Sequence, residues 1–392
     1  MDVAISGAGI AGPTLAYWLH RAGHVPTLIE QAHALRTGGY VIDFWGLGYA
    51  VAQRMGIEAA VRDAGYQVQS LRAVDSTGGK VAEVSVDAFR RATDGRYTSI
   101  ARSDLAAEIY ATVADNVETV FGDTITALDD RPDGVGLTFA NGPDRKVDLV
   151  IGADGLHSTV RRLAFPDSDG HERFLGCMVA ACVVEGYRPR DELTYLTYNV
   201  PGRQIGRFTL RDDRTLFLFV GRAEKPGEVG DVDACRAWLR AEFGNAGWEA
   251  PQILTAVADA QDLYFDVVSQ IRLARWSRGR VALVGDAAAC PSLLAGEGTG
   301  LAMLEAYVLA GELQAARGNH ARAFAEYERR LHSFVEGKQD DALRMVGFFA
   351  AETKLGLWLR NLGMRAAQLP AVANLLVARA FRDDFELPGY TM

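Results

Sequence analysis

Val3-Ala4-Ile5-Ser6-Gly7-Ala8-Gly9-Ile10-Ala11-Gly12 is the run on which the fold turns. Val3-Ala4-Ile5 is a short apolar segment suited to a buried parallel strand, and it leads straight into Gly7-x-Gly9-x-x-Gly12. Leu15, Trp18, Leu19 and Ala22 then recur at helical spacing, and Gly23 stands where a helix end favours a residue tolerant of positive φ. Pro26-Thr27-Leu28-Ile29 reads as the next strand, with Glu30 at its end. Strand, helix and strand together span about thirty residues, the size of a right-handed parallel crossover.

The glycine spacing carries a mechanism. Gly7 permits the tight turn, Gly9 lets a pyrophosphate approach the backbone, and Gly12 lets helix and strand pack closely. The helix N-terminus offers unpaired N–H groups and a partial positive charge to the phosphates. The Glu30 carboxylate is placed to accept from both ribose hydroxyls and would repel a 2′-phosphate, so the tightly held dinucleotide is FAD or NAD rather than NADP.

A helix is expected over 46–64, a hairpin from Leu71–Val74 and Lys80–Val86 across Ser76-Thr77-Gly78-Gly79, and a helix over 103–113 capped by Ser103 and Asp104. Asp148-Leu149-Val150-Ile151-Gly152 is a buried strand by composition, and it opens onto Ala153-Asp154-Gly155. Between Phe174 and Val220 the texture changes to aromatic, β-favouring runs separated by Pro201-Gly202 and Asp212-Asp213, which reads as an antiparallel meander. Val281-Ala282-Leu283-Val284 returns to the parallel style and ends on Gly285-Asp286. After Gly300 the chain reads as helical to its end, interrupted by Pro370.

Two of these stretches bear on the choice between FAD and NAD. Asp286, just past a buried strand, is positioned to accept hydrogen bonds from a polyol. Pro291 and the helix start at Gly296-Glu297-Gly298-Thr299-Gly300 would present backbone N–H groups to a flavin ring. Asp154-Gly155, followed by Ser158 and Arg161, is the other.

With these motifs in order, the chain resembles the class A flavoprotein monooxygenases, the p-hydroxybenzoate hydroxylase-like group, over nearly its full length. The resemblance rests on Gly7 to Gly12, Arg102-Ser103-Asp104-Leu105, Asp154-Gly155 and Gly285-Asp286. It is nearest the branch containing the tetracycline-inactivating enzymes, whose Gly-Gly-x-x-x-Asp run matches Gly38-Gly39-Tyr40-Val41-Ile42-Asp43. The resemblance implies FAD contacts from Asp43, Arg102 and Asp286, and an NADPH contact from Arg36. Many members read Gly-Gln-Gly-x-Asn where this chain has Gly296-Glu297-Gly298-Thr299-Gly300, so Glu297 adds a negative charge beside the expected flavin.

The fold expected is α/β: a Rossmann-like FAD-binding domain with an inserted, mostly antiparallel substrate sheet and a helical C-terminus. The FAD-binding parts are 1–72, 98–166 and 271–330; the substrate parts are a hairpin at 73–97 and a sheet at 167–270; a helical segment covers 331–392. The implied activity is hydroxylation of an aromatic or polyketide-like small molecule with NADPH or NADH and O2, through a flavin hydroperoxide. An antibiotic-modifying role falls within that class. The flavin performs the chemistry, so no catalytic side chain and no metal are expected. Tyr198, Arg207 and Phe219 lie in the sheet that in the family roofs the flavin; each also reads as ordinary sheet packing. His157 and His171 read as loop residues, and the apolar stripe Phe348, Phe349, Leu355, Leu357 and Trp358 as core or domain-bridging surface. Other readings are an FAD-dependent reductase of carbon–carbon double bonds and a non-catalytic flavin- or ligand-binding protein.

Composition agrees. The 392 residues are 49% hydrophobic and 23% charged, an ordinary globular balance that leaves room for more than one domain. A net charge of −9 argues against nucleic acid or an anionic membrane as a partner. No apolar run approaches the ~20 residues of a membrane span. Cys177, Cys182, Cys235 and Cys290 are too scattered for a disulfide scaffold or zinc, and Met1-Asp2-Val3-Ala4 has no basic leader. A cytoplasmic monomer or dimer is the expectation.

Overall fold

In the computed structural model, the opening strand–helix–strand unit is Asp2–Ser6, Ala11–Arg21 and Val25–Glu30, with Ile5 opposite Leu28 in a parallel pair. Residues 1–36, 40–93, 95–166, 171–260, 262–369, 372 and 385–392 are described, with main chain only at 88 and 92. The helix forms because Leu15, Trp18 and Leu19 share one buried face. It stops where Gly23 takes φ +80°, and the Ala22 and Gly23 amides satisfy the last carbonyls. Each fully buried leucine on that face contributes roughly 1.5–3 kcal/mol of apolar burial.

This unit is the centre of a six-stranded sheet. Its order is Ser277–Arg278, Val281–Leu283, Leu149–Gly152, Asp2–Ser6, Val25–Glu30 and Glu118–Phe121. All but the short Ser277–Arg278 edge run parallel. Strands far apart in the chain thus bring the ends at Ser6, Gly152 and Leu283 side by side, the place where open α/β sheets bind ligands. The Ala11–Arg21 helix packs on this sheet and the Gly298–Ala315 helix packs against that helix; Leu301, Leu304, Val308 and Leu309 are all buried.

A seven-stranded sheet forms the second layer, in the order Tyr264–Ile271, Glu172–Glu185, Arg214–Arg222, Arg203–Thr209, Thr194–Val200, Ser70–Val74 and Lys80–Ser85. The expected 70s hairpin is present and joins this sheet through a parallel pairing of Ser70–Val74 with Thr194–Val200. One face carries Leu196, Tyr198, Ile205, Phe217 and Phe219 and is covered by the Val232–Phe243 and Ala250–Ala258 helices. The other face, with Ala181, Phe208, Leu216, Leu218 and Tyr264, packs on Tyr40, Val41, Tyr66 and Val68.

Several local expectations are corrected. The 46–64 helix is two, Gly46–Met55 and Glu58–Ala64, because Gly56 ends the first in the left-handed conformation. The next helix starts one residue earlier, at Arg102, after an uncapped Ala101, so Ser103 and Asp104 lie inside its first turn. A three-stranded sheet of Ile125–Arg131, Gly134–Phe139 and Arg145–Val147 adds to the expected elements. The C-terminus is not helical throughout: besides helices Gly298–Ala315, His320–Phe349 and Lys354–Ala366, the described tail 385–392 lies in neither helix nor strand. Tyr390 in that tail lies against Gly311 and donates to Glu312, while Arg54 holds the Leu387 and Pro388 carbonyls. Pro370 lies outside the described residues. In the expected apolar stripe, Leu355 and Trp358 are 65% and 58% exposed, so that part of it is surface. All four cysteines are buried free thiols. No helix among the described residues is long and apolar enough to cross a membrane, and no group among them could hold a metal ion.

Candidate functional site

The three glycines of the opening run do different work. A Cβ on Gly7 would lie 2.5 Å from the Ala153 carbonyl oxygen, and one on Gly12 would lie 1.9 Å from the Gly7 oxygen, so both are needed for backbone packing. A Cβ on Gly9 would meet only the Arg102 Nη2, at 3.8 Å. Gly9 therefore faces open space bordered by a guanidinium that donates no side-chain hydrogen bond among the described residues. The Ala11–Arg21 helix starts without a side-chain cap, leaving its first N–H groups directed at the same place. This is a cradle for a pyrophosphate.

Glu30 holds the cradle from the next strand. One carboxylate oxygen accepts the Ala8 amide at 2.9 Å and the other the Ala32 amide at 2.9 Å. Each oxygen retains a further lone pair for a ribose hydroxyl.

Asp154 is engaged differently. Its oxygens accept from the Ser158 hydroxyl and from the Thr159 and Val160 amides at 2.8 and 3.1 Å, which anchors the start of the Thr159–Ala164 helix. Buried Arg161 in that helix donates to the Ala287 carbonyl at 3.0 Å, tying this turn to the Gly285-Asp286 turn. Gly285 takes φ +63°, and its Cβ position is 3.2 Å from the Cβ atoms of both Ala11 and Ala302. The two turns and the glycine run are thereby locked together.

Asp286 opens the short Asp286–Ala289 helix. Burial raises its pKa; the Arg102 charge and a hydrogen bond with Cys290 oppose that rise. Beneath it, fully buried Glu305 accepts from the Gly285 amide at 2.6 Å and from the Tyr327 hydroxyl at 3.3 Å, and burial pushes its pKa up to about 8. Gly298 lies over Asp286, its Cβ position 3.4 Å from Oδ1 and 3.8 Å from Pro291 Cγ. Gly300 abuts Gly48, where any Cβ would lie 2.4 Å from the Gly300 Cα. Ser292, between them, has φ 125° and ψ 143°, a region essentially reserved for glycine, which marks local strain.

Asp43 projects from the Val41–Trp45 strand and accepts from Tyr97 at 2.6 Å and Ser99 at 2.5 Å, both on the paired strand. A recess lined by Asp43, Trp45, Gly46, Gly296, Glu297 and Lys338 lies beside it. Cradle and recess together suit FAD: phosphates at Gly9 and Arg102, a polyol beside Asp286, and a flat ring between the 46–48 and 296–300 backbones.

The sequence of the FAD binding domain family matches residues 1–340. The chain belongs to the flavin-dependent monooxygenases of that family. A flavin-dependent monooxygenase from an unknown prokaryotic organism is 36% identical over 357 residues, covering 90% of this chain and 91% of that one. Another, from Legionella longbeachae, is 34% identical over 350 residues, covering 86% and 87%. Among solved structures, the tetracycline destructase Tet(55) is similar with a TM-score of 0.85 at 33% identity, covering 99% of this chain and 98% of that chain. The monooxygenase is thus an oxidoreductase with FAD as its cofactor.

Not every expected residue comes to the monooxygenase's cleft. Arg36 is exposed, and Gly38 and Gly39 lie outside the described residues. Tyr198, Arg207 and Phe219 share the sheet face turned away from the FAD-binding layer. Tyr198 packs on Trp248, and Phe219 on Phe243. Arg207, 2% exposed, ion-pairs with Asp191 and, at 2.6 Å, with Glu249. All three are packing residues of the distal core. The face turned toward the cleft instead offers Tyr264, 5.7 Å from Tyr40 between ring centroids. The Tyr264 hydroxyl donates to Asp266 at 3.2 Å, and Asp266 also pairs with His157 at 3.0 Å. Burial pushes the Tyr40 phenol up to about 12, and the His157 pKa is raised chiefly by its hydrogen bond to Asp266. None of Tyr264, Asp266, Glu305 or Lys338 carried a local signal; only their distant partners reveal them.

Proposed function

We propose that the monooxygenase uses NADPH or NADH and O2 to hydroxylate an aromatic or polyketide-like small molecule. The observation that carries this is the convergence of Gly9, Arg102 and Asp286 on one groove that continues into the Asp43–Glu297 recess. Similarity to a tetracycline destructase supports a polycyclic, oxygen-rich substrate.

When bound, FAD supplies hydride acceptance and oxygen activation, which no protein side chain can provide. The chain's part is to bind, orient and exclude water. Gly7, Gly9 and Gly12 with the Ala11–Arg21 helix hold the pyrophosphate, and Glu30 the ribose. Arg102 neutralises phosphate charge, and Asp286 accepts from the polyol. Asp43, Pro291, Gly296, Gly298 and Gly300 border the ring, while Asp154 orients the turn beside the cradle rather than touching the cofactor. Exposed Arg36 is the contact for a transient NAD(P)H. The substrate lies on the Tyr40–Tyr264 side, where apolar rings exclude water.

The test is NADPH oxidation and O2 uptake by FAD-loaded protein against phenols, quinones and tetracyclines, with 18O2 tracing. Ligand-stimulated NADPH consumption with labelled product is expected. Absence of label from every ligand that binds would overturn hydroxylation, and anaerobic NADPH oxidation coupled to an alkene would replace it with a reductase.

A further inference from the structure

Glu297 stands at the N-cap of the 18-residue Gly298–Ala315 helix, but its side chain caps no helix amide. Its carboxylate turns instead to the Lys338 ammonium, 3.2 Å away on the His320–Phe349 helix. Both groups are largely withdrawn from water, with side-chain exposures of 19% and 10%. Lys338 also lies 5.6 Å from the Phe334 ring centroid. The pair lines the recess together with Asp43, Gly46 and Gly296. A pair so removed from solvent is weakly screened by salt, and each member acts strongly on any charge that changes nearby.

From this geometry we infer that the Glu297–Lys338 pair sets the reduction potential of the bound flavin. The inference rests on the reading that the FAD ring occupies this recess. A lone carboxylate at 297 would oppose the helix N-terminus and disfavour negative charge gained by the ring on two-electron reduction. Lys338 cancels that carboxylate, leaving Asp43 as the one formal charge of the recess lining that the pair does not balance. Removing either partner must then move the potential, and the two removals must move it in opposite directions.

The test measures the midpoint potential of bound FAD by dye equilibration in four proteins. Lys338→Met removes a positive charge and should lower the potential by about 30 mV, a tenfold change in the oxidised-to-reduced ratio of a two-electron couple. Glu297→Gln removes a negative charge and should raise it by a similar amount. Lys338→Arg, which keeps the charge, and the double variant should both return to within about threefold of wild type. Glu297→Gln decides the matter should Lys338→Met fail to fold: no rise overturns the inference. Equal potentials throughout, or shifts of one sign, overturn it while leaving FAD binding intact. A wild-type protein that holds no FAD overturns both.

Discussion

The Gly285 amide donates to Glu305 at 2.6 Å, and both residues are buried. This bond fixes the turn whose φ of +63° aims Asp286, and the Tyr327 hydroxyl supports it by reaching both Glu305 and the Leu283 carbonyl. One Glu305 oxygen has no partner, so burial raises its pKa from 4.5 to about 8.

That shift gives a stability profile with a definite sign. Between about pH 4.5 and 8 the folded chain keeps a proton that the unfolded chain has lost. Stability therefore falls as pH rises through this window, by up to about 1.4 kcal/mol per unit, and levels off above it. Glu305→Gln keeps an acceptor for Gly285 without titrating. Its stability advantage over wild type should grow by about 3 kcal/mol from pH 5 to 8 in urea unfolding. Parallel profiles would refute the assignment.

Asp286 couples binding to an intrinsic cost. Asp286→Ala should weaken FAD binding by about tenfold or more in a flavin-fluorescence titration, as a charged hydrogen-bond acceptor is lost. The apoprotein should melt at the same temperature or higher, because a buried, incompletely compensated carboxyl has gone. Undiminished FAD affinity would remove Asp286 from the polyol contact.

Gly48 and Gly56 separate packing at the site from packing elsewhere. At Gly48 an added methyl would lie 2.4 Å from the Gly300 Cα, backbone against backbone. Gly48→Ala should cost about 1–3 kcal/mol and also loosen FAD, since it forces apart the two segments that flank the ring. Gly56→Ala meets no atom within 4 Å and is strained only by its φ of +79°. It should lower Tm while leaving FAD affinity unchanged.

Arg207 tests the assignment of the distal core. Arg207→Ala would leave partly buried Glu249 and Asp191, 34% exposed, without their shared guanidinium, at a cost of about 1–3 kcal/mol. FAD affinity, measured below the new Tm, should match wild type. A selective loss of substrate turnover without a fall in Tm would return Arg207 to the substrate site.

What could be read from sequence was whatever is local. The Gly7–Glu30 unit encodes strand, turn, helix and acidic terminus within one crossover, so its physics needs no distant partner. The substrate sheet was legible as strands but not as faces. Only the pairing register puts Tyr198, Arg207 and Phe219, on three different strands, on one side; with the 232–243 and 250–258 helices on that side and the FAD-binding layer on the other, both sides are buried and alternation does not tell them apart. Glu305 and Lys338 look like polar positions of ordinary helices; their roles come from Gly285 and Glu297, 20 and 41 residues away. Glu297 itself was visible as an added charge, whereas its neutralisation was not.

The strand order has a consequence for how the molecule is made. Leu149–Gly152 lies between Asp2–Ser6 and Val281–Leu283, so its outer edge has no neighbour until the ribosome has passed Leu283. A nascent chain must keep that hydrophobic ribbon from pairing with other polypeptides while more than a hundred residues of unrelated sheet emerge. Chaperone dependence during synthesis, and rescue of yield by riboflavin-rich medium, are the phenotypes to expect from such a late-closing architecture.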